Sequence, residues 1–155
     1  MTFYTRHISN SFFRRRHRFQ YYGTLRTWSD AKALCLAEGG ALARAKDGDQ
    51  WLQMIEEVNS NDPDDNVWVD GKGGPEPNAF MCSNMESKEG FPCKILPWAF
   101  TEPNNGVEAC ISMLRGSHTY ALVDLDCAFQ RSVMCRFRLQ APETEMGASH
   151  SQELT

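Results

Sequence analysis

Trp98-Ala99-Phe100-Thr101-Glu102-Pro103-Asn104 decides the reading of this chain. A carboxylate and a side-chain amide flank one proline, and Cys110 follows six residues after Asn104. Both side chains offer oxygen, a hard donor that suits Ca²⁺ better than Zn²⁺. Glu108 lies four residues beyond Asn104, and Asp124 stands three before Cys127. These four oxygen-bearing side chains, close to two cysteines, make a candidate cluster for one calcium ion. Such a cluster has oxygens to spare for a sugar.

The 155 residues suit one domain with flanking tails. A net charge of −4 excludes a generally basic protein that coats nucleic acid. No apolar run reaches membrane-spanning length. Cysteines stand at 35, 82, 93, 110, 127 and 135, and the even count points to three disulfides made in an oxidising compartment, extracellular or secreted. No Cys-x-x-Cys spacing supports a thiolate zinc site. Spacing alone leaves the pairing of six cysteines open. Met1 to Asn10 contains no apolar core of a secretory signal, so the expectation is a fragment, a processed form or an incomplete gene model.

Residues 1–18 read as a basic segment, with Arg14, Arg15, Arg16, His17 and Arg18 in one run. A run of this kind at a terminus is most often a solvated linker, with attraction to sulfated glycans or anionic lipid head groups as the other outcome. Strand character begins at Phe19 to Tyr22. Thr27 is placed to cap a helix, with Asp30 three residues on, and Trp28, Ala31, Leu34 and Cys35 share one face. Gly39 and Gly40 end it. Asp47, with Gln50 three residues later, caps a second helix whose apolar stripe is Trp51, Met54, Ile55 and Val58. Val67 to Val69 reads as a short buried strand.

From Gly71 to Thr101 periodicity fails, and the stretch holds four prolines, four glycines, Cys82 and Cys93. A long irregular segment in a compact domain is functional or disordered, and a Cys82–Cys93 bridge would make it ordered. Three strand-like runs follow: Ala109 to Leu114, Thr119 to Leu125 and Ser132 to Leu139, the first two joined through Gly116-Ser117. Residues 140–155 form a polar tail with the composition of a disordered segment.

Taken in order, these features resemble the C-type lectin-like domain over residues 19–139. The residues that carry the resemblance are Trp28 and Ala31 before Cys35, the helix pair, Val67-Trp68-Val69-Asp70-Gly71, Trp98, the Glu102-Pro103-Asn104 tripeptide, and Cys110, Cys127 and Cys135. The resemblance implies an α+β fold with two helices flanking small antiparallel sheets, a long irregular loop bearing the site, and disulfide staples. It implies the pairs Cys35–Cys135 and Cys110–Cys127, leaving Cys82–Cys93 within the long loop. It also implies one Ca²⁺ held by Glu102, Asn104, Glu108 and Asp124, a cis Glu102–Pro103 bond, and two vicinal sugar hydroxyls completing the calcium shell. The glutamate–proline–asparagine order is that of members selecting mannose, fucose or N-acetylglucosamine, because the order of amide and carboxylate fixes which hydroxyl orientation fits.

Three features depart from the family pattern. The spacer between Asn104 and Glu108 is two residues short. Leu122 stands at a position where the family has tryptophan, a tolerable change of core residue. Val123 stands at the asparagine position and removes one calcium ligand and one donor to the sugar. A lost hydrogen bond to a charged partner costs roughly 1.5–3 kcal/mol, which weakens calcium and sugar binding roughly 10- to 100-fold. Asn105 and Ala109 leave no auxiliary calcium site.

The expected partners are therefore glycans or glycoproteins, with oligomerisation as a route to avidity. The alternative is calcium-independent protein recognition through the apolar loop residues Phe80, Met81, Met85, Phe91, Ile95 and Leu96. No enzyme motif is present: His7, His17, His118 and His150 lack a His-Glu-x-x-His spacing, and no Gly-x-Ser-x-Gly turn occurs. Asp62, Asp64 and Asn66 mimic the start of an EF-hand, but Val67 replaces its glycine and Gly73 its glutamate, so these acids read as a solvated turn.

Overall fold

The structure is a computed structural model that describes residues 17–74, 76, 79–83, 90–93, 97–99, 101–104, 109–115 and 120–139. Phe19–Phe137 form one compact unit; of the second unit, drawn from the two termini, only residues 17, 18, 138 and 139 are described. The basic run up to Arg16, the Gly116-Ser117 turn and the polar tail lie outside the described residues.

Strand β1 spans His17–Arg26 and leads into helix α1, Trp28–Ala37. The Asp30 amide donates to Thr27 Oγ1 at 3.3 Å, as an N-cap requires. Gly39, at φ +91°, follows the end of α1, and a two-residue strand, β2 (Ala41–Leu42), follows. Helix α2 spans Gly48–Asn61, with the Gln50 amide donating to Asp47 Oδ1 at 2.9 Å. Asp62, in the left-handed region at φ 44°, caps its C-terminus, and its carboxylate pairs with Arg115. Asn66 Nδ2 donates to Ser112 Oγ at 2.9 Å, and Asp65 pairs with Arg131. Of the EF-hand-like residues, Asp62 thus serves a helix cap and an ion pair, and Asn66 a buried hydrogen bond.

The remaining strands are β3 (Val67–Gly73), β4 (Phe80–Cys82), β5 (Phe91–Pro92), β6 (Ala109–Arg115), β7 (Tyr120–Asp126) and β8 (Arg131–Arg138). Among the described residues all eight strands connect into one sheet in which β3 is the hub: it pairs antiparallel with β4 and β6 and parallel with β8. The β6–β7 hairpin is regular from Ala109↔Asp126 to Arg115↔Tyr120. Strands β2 and β3 to β5 run beyond what periodicity announces, since the glycines and prolines around them mask the alternation.

Helices lie against both faces of β3, which explains its unbroken apolar run. Val67 and Val69 pack with Met54 and Val58 of α2, while Trp68 packs with Trp28, Ala31 and Cys35 of α1. Both indoles have their N–H satisfied: Trp28 Nε1 donates to the Val69 carbonyl at 2.9 Å and Trp68 Nε1 to the Arg26 carbonyl at 2.8 Å. Three disulfides close the fold: Cys35–Cys135, Cys82–Cys93 and Cys110–Cys127. The first staples α1 to β8 across the core, and the third ties β6 to the end of β7.

Between Trp68 and Lys72 the β3–β6 register shifts. The shift sits at Gly71, whose φ of +129° disfavours any side chain and whose missing Cβ would fall 2.3 Å from Ile111 Cδ1. Gly71→Ala is expected to lower stability by about 1–3 kcal/mol through backbone strain and overpacking. A urea titration checks this: the midpoint should fall with the slope unchanged.

Candidate functional site

Two segments build the site. Asp124 comes from the middle of β7, where it pairs with Ile111, and is 1% exposed. Glu102 and Asn104 come from the irregular segment that enters β6. That segment is pinned to β7 by backbone bonds: Leu122 N donates to the Pro97 carbonyl at 2.8 Å, and Ala99 N donates to the Leu122 carbonyl at 2.8 Å. Leu122 is 4% exposed, in keeping with a core position. Glu102 N donates to the Ala99 carbonyl at 3.0 Å, which turns the chain back on itself. Thr101 then sits at φ +70°. That conformation is unfavourable for a β-branched residue, costing about 1–3 kcal/mol, and such outliers gather at ligand clamps. The Glu102–Pro103 peptide bond is cis.

Glu102, Asn104 and Asp124 converge. Asn104 N donates to Asp124 Oδ1 at 2.9 Å, and Asn104 Nδ2 donates to Glu102 Oε1 at 3.0 Å. Asp124 is buried, Glu102 is half-buried and Asn104 is exposed, so the group deepens from amide to carboxylate. Glu102 Oε2 is sealed from solvent and has no hydrogen-bond donor. Burial, and then the neighbouring Asp124 carboxylate, hold the Glu102 carboxyl above the usual glutamate range. Two carboxylates side by side favour a shared proton or a shared cation. The backbone N–H groups of Asp124 and Asn104 offset part of that rise, and Glu102 Oε2 still lacks a partner.

Glu108 lies outside the described residues. Val123 is 5% exposed and pairs with Ser112, so its position is taken up by packing. Among the described residues no three His, Cys, Asp or Glu side chains gather at metal-binding distance; Asn104 joins the two carboxylates through its Nδ2 and its backbone N–H. Of the apolar loop residues, Phe80 is buried at 4% exposure, Phe91 is half-buried and Met81 is 43% exposed, while Met85, Ile95 and Leu96 lie outside the described residues. No helix among the described residues is long and apolar enough to cross a membrane.

Sequence reasoning missed a second polar group close to this segment. Asp70, 3% exposed on β3, accepts from Ser83 N at 2.8 Å and from Ser83 Oγ at 3.2 Å. Arg136 on β8 is 1% exposed, and with Arg44 it faces the Asp70 carboxylate. Burial raises the Asp70 carboxyl, while Ser83 and the two guanidiniums pull it back. The only sequence signal was an acid in an otherwise apolar strand.

No family model matches the sequence, and no curated protein is similar to it in sequence. Solved structures do match. TC14, a C-type lectin from the tunicate Polyandrocarpa misakiensis, is 18% identical over 80% of this chain and 99% of that one, with a TM-score of 0.64. SPL-1 in complex with GlcNAc is 18% identical over 77% and 86%, with a TM-score of 0.63. A calcium-independent type II antifreeze protein is 23% identical over 80% and 88%, with a TM-score of 0.63. The chain therefore has the C-type lectin-like fold, α+β and disulfide-stapled. At such identities these neighbours establish the fold alone.

Proposed function

We propose that this chain is a calcium-dependent carbohydrate-binding module, extracellular or secreted, whose ligands are glycans with mannose-, fucose- or GlcNAc-type hydroxyl geometry. The observation that carries the reading is Glu102 Oε2, enclosed without a donor beside a second carboxylate. A carboxylate oxygen enclosed without a donor is costly in itself, and a cation relieves that cost. The residues present fit calcium: two carboxylates from Glu102 and Asp124 and an amide oxygen from Asn104 are hard donors. Glu108 is a fourth ligand by its place in the sequence. Bound calcium supplies coordination positions that a pair of vicinal sugar hydroxyls can fill.

The protein's own groups do the rest. Glu102 accepts from a hydroxyl, the Asn104 amide donates to one, and the Nδ2 bond to Glu102 fixes the order of the two. Asp124 anchors the Asn104 backbone, so both segments answer to the same ion. Val123 supplies neither ligand nor donor, and the site is weakened accordingly. Calorimetric titration with Ca²⁺, followed by a glycan array with and without chelator, tests this: heat on adding calcium and chelator-sensitive glycan signals are expected. Absence of both heat and thermal shift rejects the cation. Binding to a protein that persists in chelator favours the calcium-independent alternative, for which exposed Met81 is the supporting residue.

A further inference from the structure

The long loop is held to the sheet through Asp70. Strands β4 and β5 are three and two residues long, too short to persist alone, yet the Cys82–Cys93 hairpin is well fastened. On one side, the Asp70 carboxylate grips both the amide and the hydroxyl of Ser83, the residue after Cys82. The Arg44 guanidinium lies 4.6 Å from the Phe91 ring centroid, holding the second strand of the hairpin. On the other side, the Phe80 and Trp98 rings stack obliquely with centroids 5.2 Å apart. Trp98 lies between Pro97 and Ala99, whose backbone groups bond Leu122, two residues from Asp124. Ala99 also accepts from Glu102 N. An unbroken series of contacts thus joins Asp70 to both carboxylates of the candidate site. The register shift at Gly71, beside Asp70, is the kind of bulge that re-aims a side chain.

We propose that Asp70 and the Cys82–Cys93 hairpin are positioning elements for the cation site: Asp70 seats the hairpin through Ser83, and Phe80 on Trp98 sets the approach of Glu102 to Asp124. The proposal rests on reading that pair as a cation site. The physical need is clear, because two carboxylates without a cation repel: Asn104 bridges them locally, and outside contacts fix the segment that carries Glu102 and Asn104 against β7. Coupling is reciprocal, so a cation that favours the seated pair also favours the seated hairpin.

The test is terbium luminescence titration of the full chain. Asp70→Asn would leave Arg44 and Arg136 without their carboxylate and risks unfolding. Ser83→Ala and Phe80→Leu avoid that. Each is expected to weaken terbium binding by roughly 3- to 10-fold, within the range of coupling carried by packed networks. Asp47→Ala, which removes the α2 cap and destabilises the fold to a comparable degree far from the loop, should leave terbium affinity unchanged. In the wild type, terbium should also slow reduction of Cys82–Cys93, read by thiol labelling and mass spectrometry, and Phe80→Leu should abolish that protection. If the wild type binds terbium but both loop variants bind it equally well, positioning is overturned and the cation site stands. If the wild type does not bind terbium, both fall. If Asp47→Ala weakens terbium as much as the loop variants, the effect is one of general stability and the proposal is overturned.

Discussion

Cys35→Ala combined with Cys135→Ala is expected to lower stability by about 4–5 kcal/mol. The two residues are 100 apart in sequence, and cross-linking a loop of that length removes close to that much chain entropy from the unfolded state. Both sulfurs are fully buried beside Trp68 and Ala31, so no solvent contact recovers any of the loss. A stability of this size is a large share of what a domain of this kind possesses. Guanidinium denaturation of the double variant in calcium-free buffer checks it, with the midpoint falling steeply. A drop near 1 kcal/mol would mean that the unfolded chain is already held compact by other means.

On the proposed reading, Glu102→Ala is expected to abolish calcium binding for practical purposes, by about 100-fold or more, since it removes a charged ligand of the proposed site worth roughly 3 kcal/mol. The fold should survive, because Glu102 is only half-buried and its backbone bond to Ala99 remains. Without calcium the variant should match or exceed the wild type in stability near neutral pH, since the Asp124 carboxylate loses a like-charged neighbour. The pH dependence has a definite sign. Glu102 is raised in the folded chain by burial first and by Asp124 next. Its neutral form therefore stabilises the calcium-free protein fully below the ordinary glutamate value, and that contribution is lost as pH rises through the raised value. Calcium needs the ionised form, so the calcium-induced rise in melting temperature should grow across the same window. Thermal melts at several pH values, with calcium and with chelator, read both effects.

Much of the scaffold was legible because its signals are local. Thr27 and Asp47 cap their helices as their side chains dictate, and Trp28, Ala31 and Cys35 face inward at helical spacing. The β6–β7 hairpin was readable from alternation. Strands β4 and β5 were not, since a two-residue strand such as Phe91–Pro92 exists only through its partners. Cysteine spacing left the disulfide pairing open; the family resemblance implied it. In the candidate site, Glu102, Asn104 and Asp124 were readable as oxygen donors, but their convergence depends on backbone bonds to Leu122 that no motif encodes. Asp70 and Arg136 escaped notice for a related reason. A charged residue in a strand reads as solvent-facing until the fold is seen to bury it with opposite charge nearby.

The Cys35–Cys135 bond also fixes how this unit answers to mechanical load. Tension entering along β1 and leaving along β8 travels through the backbone only as far as those two cysteines, and crosses between them through sulfur. Everything enclosed by that covalent ring, from the end of α1 to the middle of β8 and including Glu102, Asn104 and Asp124, is bypassed by the force. A pull on the flanking polypeptide can peel the outer strands, but it cannot stretch the segment that holds the Glu102 and Asp124 carboxylates while the bridge is intact.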